Sequence, residues 1–542
     1  MSRSRSLAGA VCVAVVVVGI MLGLDWLFPT AAMGIAGAAR NLIRWVGPLA
    51  AGVLAAAVIV ALASDSDSGS SGDGYSDGYG SRRRRRGPGA PSWAWATASL
   101  VVAAAVVIQV GLWAQYRHMA GQEAAESVTI TSELPEEDRP PVPSFLERRP
   151  YDQARTLIQR NRGAVPGELV DVTHVGDGRW TGLFSRPQGI VGVVEWDEAG
   201  TRPGNFRSCL FDDRPHAVDG SWWRNLRRDI AREYGWLRVA DSDVYGVCDG
   251  ESDEPVVYVP ATRHEGFWAP HPTPAGVVVV SDGGMAWDRD AEPGEHPGPV
   301  YPLSVVEWQQ TNAQTHSGSV GDSLYSRRLW YVEDDDEGEG SSQSGNTGEF
   351  TVVDDDGRLW YVTPARRRKE GPQIRALIVT PADTSTEGSY NPMTIHVLDE
   401  PRPAFSRVTE ATEALLSTSG LVGAVSDVRV IEITPAAAGG PWVGTVVRGG
   451  EPIFRVEADT DETICLWAVS YGGPPSETAE PLACSGDPAD AAGATGAPDP
   501  GDAPDPGSGP AGDLSELTDS ELADLLAGIA AELDARAGQT AP

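Results

Sequence analysis

The sequence has little lysine, little cysteine and no recognisable catalytic motif. Lys369 is the single lysine beside 41 arginines, and this bias, with abundant Ala, Gly and Pro, indicates a G+C-rich bacterial genome rather than a function. No Gly-x-Ser-x-Gly elbow, Walker loop or GxGxxG after a predicted strand occurs, so nothing marks the chain as a member of those enzyme classes. The lack of Cys-x-x-Cys spacing argues against a zinc site made of cysteines.

Basic residues are also scarce relative to acidic ones. The chain has 42 basic and 76 acidic residues and a formal net charge of −34. Residues 1–114 hold nine of the basic and five of the acidic residues, which leaves 33 basic and 71 acidic residues, a net charge of −38, in the rest. Because this excess repels phosphates, we expect no nucleic acid partner there, and solubility in an ionic exterior is its simplest explanation.

Among the features that are present, one uncharged segment of 22 residues, Trp93 to Ala114, organises the chain. A helix needs about 20 residues to cross the hydrocarbon core, so this segment is long enough to span a membrane. An arginine block precedes it and should stay in the cytoplasm, which predicts that everything after Ala114 is exported. A site for anionic lipid or nucleic acid is the sharper alternative for this block. The block consists of Arg82, Arg83, Arg84, Arg85 and Arg86.

Two earlier apolar runs, Leu7 to Leu24 and Trp45 to Ala63, predict two further membrane helices. The first is either a signal peptide or an uncleaved helix, and its length favours the helix. Asp25 at its end is interpreted as lying at the wetted membrane interface. These segments predict a multi-pass protein of the bacterial cell membrane, with a cytoplasmic N-terminus and an extracytoplasmic C-terminal region.

Self-similarity is the main signal in the exported region. The segment from Ala154 to Arg186 resembles that from Ala411 to Gly449: each begins with a helical pattern, passes a Gly-containing break and reaches a Trp-x-Gly strand. This order predicts two copies of one α+β unit, a helix on an antiparallel sheet, although chance similarity between β-rich stretches is the alternative. Between them, segments rich in Val, Tyr and Trp predict a β-rich middle domain with duplicated hairpins.

Four cysteines lie in the predicted exported region, where the compartment is oxidising and permits disulfides. Four cysteines allow three connectivities. The similarity of the two units favours pairing Cys209 with Cys248 and Cys465 with Cys484.

The C-terminal region contains a low-complexity linker and then an amphipathic helix. Thr518 to Glu521 fits a capping box, and apolar residues recur at helical spacing after it. Such a helix needs a surface to cover, on its own domain, on a second copy or on another protein. Its predicted apolar face consists of Leu522, Leu525, Leu526, Ile529 and Leu533.

Individual candidates for chemistry are weak. His264 and His271 do not form a zincin helix, because Pro270 and Pro272 forbid a helix there. The acidic run at Asp354 to Asp356 lacks EF-hand spacing, and a hairpin turn explains it better than calcium. We therefore predict no metal and no cofactor, and the catalytic residues are unknown. A polar cleft around His264, Glu265 and Asp282 would favour an enzyme.

Together these patterns predict an α-helical membrane anchor of three transmembrane helices and an exported α+β region, in which repeated helix-on-antiparallel-sheet units flank a β-rich middle domain. The predicted function is protein–protein interaction or scaffolding in a bacterial envelope, secretion or conjugation assembly, with the bilayer and envelope proteins, including a second copy, as partners. The alternative is a membrane-bound extracytoplasmic hydrolase or a glycan-binding or glycan-modifying enzyme.

The predicted segments are the first transmembrane helix (1–28), a short extracytoplasmic loop (29–44), the second helix (45–63), a disordered cytoplasmic loop (64–92), the third helix (93–114), a stalk (115–150), unit 1 (151–232), the middle domain (233–402), unit 2 (403–484), a disordered linker (485–513) and the amphipathic helix (514–538).

Overall fold

The fold is known from a computed structural model, and its described part is rich in β-sheet. It describes residues 92–198, 205–212, 215–218, 224–235, 237–250, 253–266, 269–282, 284–313, 330–332, 350–367, 373–422, 428–435, 440–448, 451–459, 463–469 and 480–485. The first two predicted membrane helices, the arginine block, the linker and the C-terminal amphipathic helix lie outside these residues.

Five α-helices and five sheets make up the described residues. The helices are α1 (Ser92–Glu126), α2 (Tyr151–Arg160), α3 (Leu226–Tyr234), α4 (Leu303–Ala313) and α5 (Phe405–Ser419). The strands are β1 (Val128–Ile130), β2 (Glu168–Gly176), β3 (Arg179–Arg186), β4 (Gly189–Asp197), β5 (Phe206–Leu210), β6 (Tyr245–Cys248), β7 (Pro255–Glu265), β8 (His271–Ser281), β9 (Gly284–Asp288), β10 (Asp290–Ala291), β11 (Trp330–Val332), β12 (Phe350–Val353), β13 (Leu359–Arg367), β14 (Ile374–Pro381), β15 (Ser385–Thr386), β16 (Met393–Arg402), β17 (Val428–Pro435), β18 (Trp442–Arg448), β19 (Glu451–Ala458), β20 (Ile464–Ala468) and β21 (Ala483–Cys484).

Four of the sheets form the body of the fold. Sheet A has the order β1-β16-β14-β13-β11, with β12 also paired to β13. Sheets B, C and D run in chain order as β2 to β5, β6 to β9 and β17 to β21. All their strand pairs are antiparallel except β1 with β16, which is parallel. The fifth sheet is the short pair β10 and β15.

The predicted fold class is wrong, because the described residues are dominated by five sheets, with only five α-helices and one span apolar enough for a membrane, and some hydrophobic cores join two sheets. Leu183 and Val193 of sheet B pack in one core with Val257 of sheet C. A second core likewise joins residues of sheet A to residues of sheet D. Strands with buried residues on both faces need a neighbouring layer on each side, which one helix cannot supply. The described residues form a layered, sheet-rich body, and they support neither a three-helix anchor nor repeated units.

One described helix, α1, is long and apolar enough to cross a membrane. Its first part carries exposed apolar side chains, such as Leu100 and Val107, which are each 70% exposed. Its last part packs on α4, where Ala120 and Ala124 are buried. The helix therefore runs without a break from the apolar segment onto the sheet-rich body.

The residues after α1, for which a stalk was predicted, are tied to the body. Val128, Thr129 and Ile130 form β1 and pair with β16 at the edge of sheet A. Further along, the amide of Leu146 donates to the carbonyl of Val353, 2.8 Å away. This stretch therefore crosses from sheet A to the start of α2 in contact with the fold.

Both predicted cysteine pairs lie at disulfide distance. Cys209 and Cys248 connect β5 of sheet B with β6 of sheet C, with their sulfur atoms 2.17 Å apart. Cys465 and Cys484 connect neighbouring strands of sheet D, with their sulfur atoms 2.05 Å apart. The first pair links two sheets, whereas the second closes a sheet edge.

Candidate functional site

A cavity of about 900 Å³ lies where sheets A, B and D meet and is here called the junction cavity. Its walls come from residues 144–150, which we call the connector, from the β2–β3 turn, from the end of β4, from the β12–β13 turn and from β18 and β19. A cavity of this size lies in the range of small-ligand and peptide pockets, roughly 300–1,000 Å³. A smaller pocket of about 550 Å³ lies along α5.

The β2–β3 hairpin builds one wall through its tight turn. Asp177 and Gly178 both have positive φ, +51° and +63°, which is the backbone of a two-residue type I′ turn. The Asp-Gly sequence suits this turn, since glycine takes positive φ without a steric cost. The turn places Gly176 opposite Arg179, and an irregularity between His174 and Gly176 then brings His174 on β2 opposite Trp180 on β3.

Arg148 of the connector holds the three sheets together. Its guanidinium lies 3.1 Å from the carboxylate of Glu432 on β17, and it donates to the carbonyl of Thr351 on β12 at 2.8 Å. The same group lies 5.0 Å from the ring centre of Trp180 on β3. A planar guanidinium can make such contacts at once, which a lysine ammonium cannot. Arg148 thus contacts sheets A, B and D.

Neighbouring connector residues extend these contacts. The Arg455 guanidinium lies 2.9 Å from the carboxylate of Glu147. The amide of Arg149 donates to Glu198 at the end of β4, 3.0 Å away. The amide of Tyr151, at the start of α2, donates to Glu432. Successive residues of the connector therefore alternate between sheet D and sheet B.

Glu432 reaches the connector because of an irregularity in β17. The β17–β18 register shifts between Ile431 and Thr434, and Glu432 itself has a φ of +51°. Such a bulge redirects a side chain, and a non-glycine residue in this conformation costs about 1–3 kcal/mol. Burial raises the pKa of Glu432, an effect that the charge of Arg148 opposes. The ion pair therefore offsets the burial of this carboxylate.

His174 is the unusual residue of the cavity wall. Its side chain is 3% exposed, and its ring packs edge-on against Trp180 with ring centres 5.0 Å apart. Burial, followed by the charges of Arg148 and Arg179, lowers the pKa of His174 to about 3, so the imidazole is neutral near pH 7. Within the described part of the chain, neither ring nitrogen has a hydrogen-bond partner. A neutral imidazole offers one donor and one acceptor, and the described residues satisfy neither of them.

Glu198 is a second polar group on the wall. It accepts hydrogen bonds from the amide of Arg149 at 3.0 Å and from the indole of Trp180 at 3.3 Å. Burial raises the pKa of Glu198, and its hydrogen bonds and the nearby arginines counteract this. Its negative charge is therefore held in a partly desolvated position, where electrostatic contacts are stronger than in water.

The cavity thus has the features of a binding site: concave, partly apolar, formed by distant segments and lined by a buried polar group without a partner. No known protein-family model, curated protein or solved structure matches the chain. The function is therefore argued from this geometry alone.

The fold does not bring together His264, Glu265 and Asp282, the residues whose polar cleft would favour an enzyme. His264 and Glu265 lie at the end of β7, and His264 is opposite Pro272 at the start of β8. Asp282 follows the other end of β8. Ten residues of strand, about 33 Å, separate Pro272 from Asp282. None of the three candidates lines the junction cavity.

The run from Asp354 to Asp356 forms the β12–β13 turn, as its hairpin interpretation predicts.

One cluster of metal-ligand types occurs elsewhere among the described residues. Potential ligand atoms of Asp288, Glu295 and His296 lie within 4.8 Å of one another. His296 contacts the carboxylate of Asp288 at 2.8 Å, and its ring packs on Tyr258. These contacts already account for the position of His296, and the cluster supports no functional assignment.

The sequence analysis missed the junction cavity, although one of its residues carried a signal. In β2, Val172 and His174 alternate with more exposed residues, so they share a buried face. A histidine at such a position, three residues before an Asp-Gly turn, is predictable as buried. Its lack of a partner is not predictable, because that depends on the arrangement of three sheets.

Proposed function

We propose that this protein is a membrane-anchored binding protein of the bacterial envelope, which holds protein partners at the junction cavity on the extracytoplasmic side. The observation that carries the proposal is the buried, neutral imidazole of His174, which lines a large cavity without a hydrogen-bond partner in the described chain. A concave, partly apolar cavity built from distant segments around a few polar groups has the usual form of a binding pocket.

Features of α1 support the anchoring half of the proposal. Exposed apolar residues of its first part, including Ile108 at 62%, are unfavourable in water and favourable in a bilayer. The arginine block that precedes α1 in the sequence favours a cytoplasmic start and an extracytoplasmic end. The two cysteine pairs at disulfide distance fit an oxidising compartment.

The charges in the cavity support binding rather than chemistry. Arg148 and Arg455 are engaged in ion pairs that hold sheets together, so they are committed to structure. The His–Asp pairs found among the described residues, His216 with Asp229 and His296 with Asp288, lie outside the cavity. Holding a partner in an envelope, secretion or conjugation assembly therefore requires fewer additional functional groups than catalysis would.

The proposal is tested by photocrosslinking in the native membrane. A photoreactive amino acid replaces Leu146, which lines the cavity and is 53% exposed. The matched control position is Leu210 on β5, which is 47% exposed and lies away from the cavity. We expect a discrete crosslinked species from Leu146 that the control does not give. A bulky Asp355→Trp change at the exposed rim should abolish it.

Identical products from both positions, or no product from Leu146, would contradict the proposal. So would a product that persists unchanged in the Asp355→Trp background. Asp355 is exposed and lies in the β12–β13 turn, so its substitution should leave the fold intact.

A further inference from the structure

Two arginines of the junction cavity, Arg148 and Arg455, already form ion pairs with carboxylates of the protein. The guanidinium of Arg148 lies 3.1 Å from Glu432. That of Arg455 lies 2.9 Å from Glu147 and also pairs with Glu457. Because these positive charges are compensated by the protein, they leave little attraction for an anionic ligand.

Two carboxylates of the same cavity receive hydrogen bonds from neutral groups alone. Glu198 accepts from the Arg149 amide and the Trp180 indole. Asp354 accepts from amides of its own turn and from the Trp360 indole at 2.7 Å. Neither of these carboxylates forms an ion pair with a described residue. The cavity lining as a whole holds six carboxylates against three arginines, so an acidic excess remains even though Arg148 and Arg149 lie near Glu198.

The remaining surface suits a side chain with an apolar stem and a positive end. Leu146, Pro150 and Phe454 supply apolar wall, and the exposed carboxylate of Asp355 lies at the rim. Long basic side chains place their methylenes against apolar surface and their charge beside acceptors.

We infer that the junction cavity takes a basic side chain, arginine or lysine, presented by a segment of a partner protein. This inference rests on the proposed function and specifies the chemistry of the partner. Charge complementarity at Glu198, Asp354 and Asp355, beside the apolar wall of the cavity, supports it. The surplus of 71 acidic over 33 basic residues after residue 114 would attract such a segment from a distance.

The test is calorimetric titration of the full-length protein in detergent micelles with short capped peptides. The probes are acetyl-Ala-Leu-Arg-Leu-Ala-amide, the same peptide with neutral citrulline for arginine, and one with glutamate for arginine. Because charge-assisted hydrogen bonds are about twice as strong as neutral ones, we expect the arginine peptide to bind about tenfold more tightly than the citrulline peptide, and the glutamate peptide to bind most weakly.

Variants locate the effect. Glu198→Gln keeps an oxygen that can accept from the Arg149 amide but removes the charge, and it should reduce the preference for arginine over citrulline to about twofold or less. The exposed carboxylate of Glu413 on α5 lies outside the cavity, so Glu413→Gln should leave the preference unchanged. Thermal unfolding of each variant checks that it is folded.

Equal or tighter binding of the citrulline or glutamate peptide would overturn the inference, as would a preference insensitive to Glu198→Gln. If no peptide binds while Leu146 still gives its specific crosslink, the basic side chain is refuted and the proposed binding function stands. If that crosslink is also missing, both fail.

Discussion

Arg148 and Glu432 form an ion pair with little access to water, with side chains 10% and 6% exposed. Taking two charges out of water is costly, and their attraction repays this only while both are present. Removing one partner should therefore lower the stability of the protein more than removing both. The pair therefore acts as a specific tie between the connector and sheet D.

We expect Arg148→Met to lower the free energy of unfolding by about 3–5 kcal/mol, because Glu432 would stay buried without its counter-ion. The double variant Arg148→Met with Glu432→Gln should recover part of this loss, which denaturant titration would measure. Arg160→Met is the matched control, since the Arg160–Glu451 pair is 60% and 68% exposed. Its effect should stay within about 0.5 kcal/mol. A single-variant loss no larger than the control's would contradict the buried tie.

His174 predicts a specific pH dependence of stability. Its pKa is about 3 in the folded protein and 6.5 ordinarily, so the unfolded chain binds a proton that the folded protein does not between these values. Stability from this group is therefore present above about pH 6.5 and declines as the pH falls towards 3, by up to about 1.4 kcal/mol per pH unit.

His174→Phe should remove this part of the pH dependence and leave stability at pH 7 unchanged or slightly raised, because an unpartnered polar ring is replaced by an apolar one. Thermal unfolding at several pH values between 4 and 7 measures the difference between the two proteins. Parallel profiles for wild type and variant would show that His174 is not buried in the neutral form.

At the scale of elements, α1 is fixed to the body by close contact with α4. A methyl group added at Gly121 would lie 2.8 Å from the side-chain oxygen of Asn312. Next to it, the guanidinium of Arg117 lies 4.1 Å from the ring centre of Trp308 on α4. A larger side chain at position 121 would therefore displace Asn312.

Gly121→Leu should therefore loosen the docking of α1 at a cost of about 1–3 kcal/mol, since overpacking forces backbone shifts. Amide hydrogen exchange in α4, Leu303–Ala313, would become faster. Gly111→Leu on the same helix is the control, because a methyl group there meets no described atom within 4 Å. Equal exchange in α4 for both variants would mean that the helices are not held together at Gly121.

Some elements were predictable from local pattern. The uncharged segment from Trp93 to Ala114 lies within α1, and the strands rich in Val, Tyr and Trp form the sheets. The four cysteines lie in the predicted pairs, although that prediction came from a similarity of two units that the fold does not support. Apolar length, β-branched composition and cysteine order are properties of neighbouring residues, which a sequence displays directly.

The packing of the sheets and the site were not predictable from local pattern. Helix-then-strand order suggested separate units, but the cores instead join Leu183 to Val257 and Val362 to Val430 across sheets. The junction cavity brings together His174, Glu198 and Asp355 from three hairpins. Their spacing along the chain does not indicate that these residues lie together, because their proximity depends on how three twisted sheets pack.

For the whole molecule, the proposed topology predicts which side of the membrane the sheets occupy. Cys465 and Cys484 are partly exposed, whereas Cys209 and Cys248 are buried. After mild reduction of intact cells, a membrane-impermeant thiol reagent should label Cys465 or Cys484 and spare the buried pair. A variant with both of the partly exposed cysteines changed to serine is the control. Labelling that requires broken cells would place the sheets in the cytoplasm and refute the proposal.

The connector lies early in the chain, yet it is bound to residues made much later. The contact of Arg148 with Thr351 spans 203 residues, that of Tyr151 with Glu432 spans 281, and that of Glu147 with Arg455 spans 308. Each contact can form only after its later residue has been synthesised. At bacterial synthesis rates of roughly 5–20 residues per second, this is a delay of about 10–60 s. A nascent or prematurely terminated chain therefore lacks these contacts, and under the proposed function only a completed chain would offer the cavity to a partner.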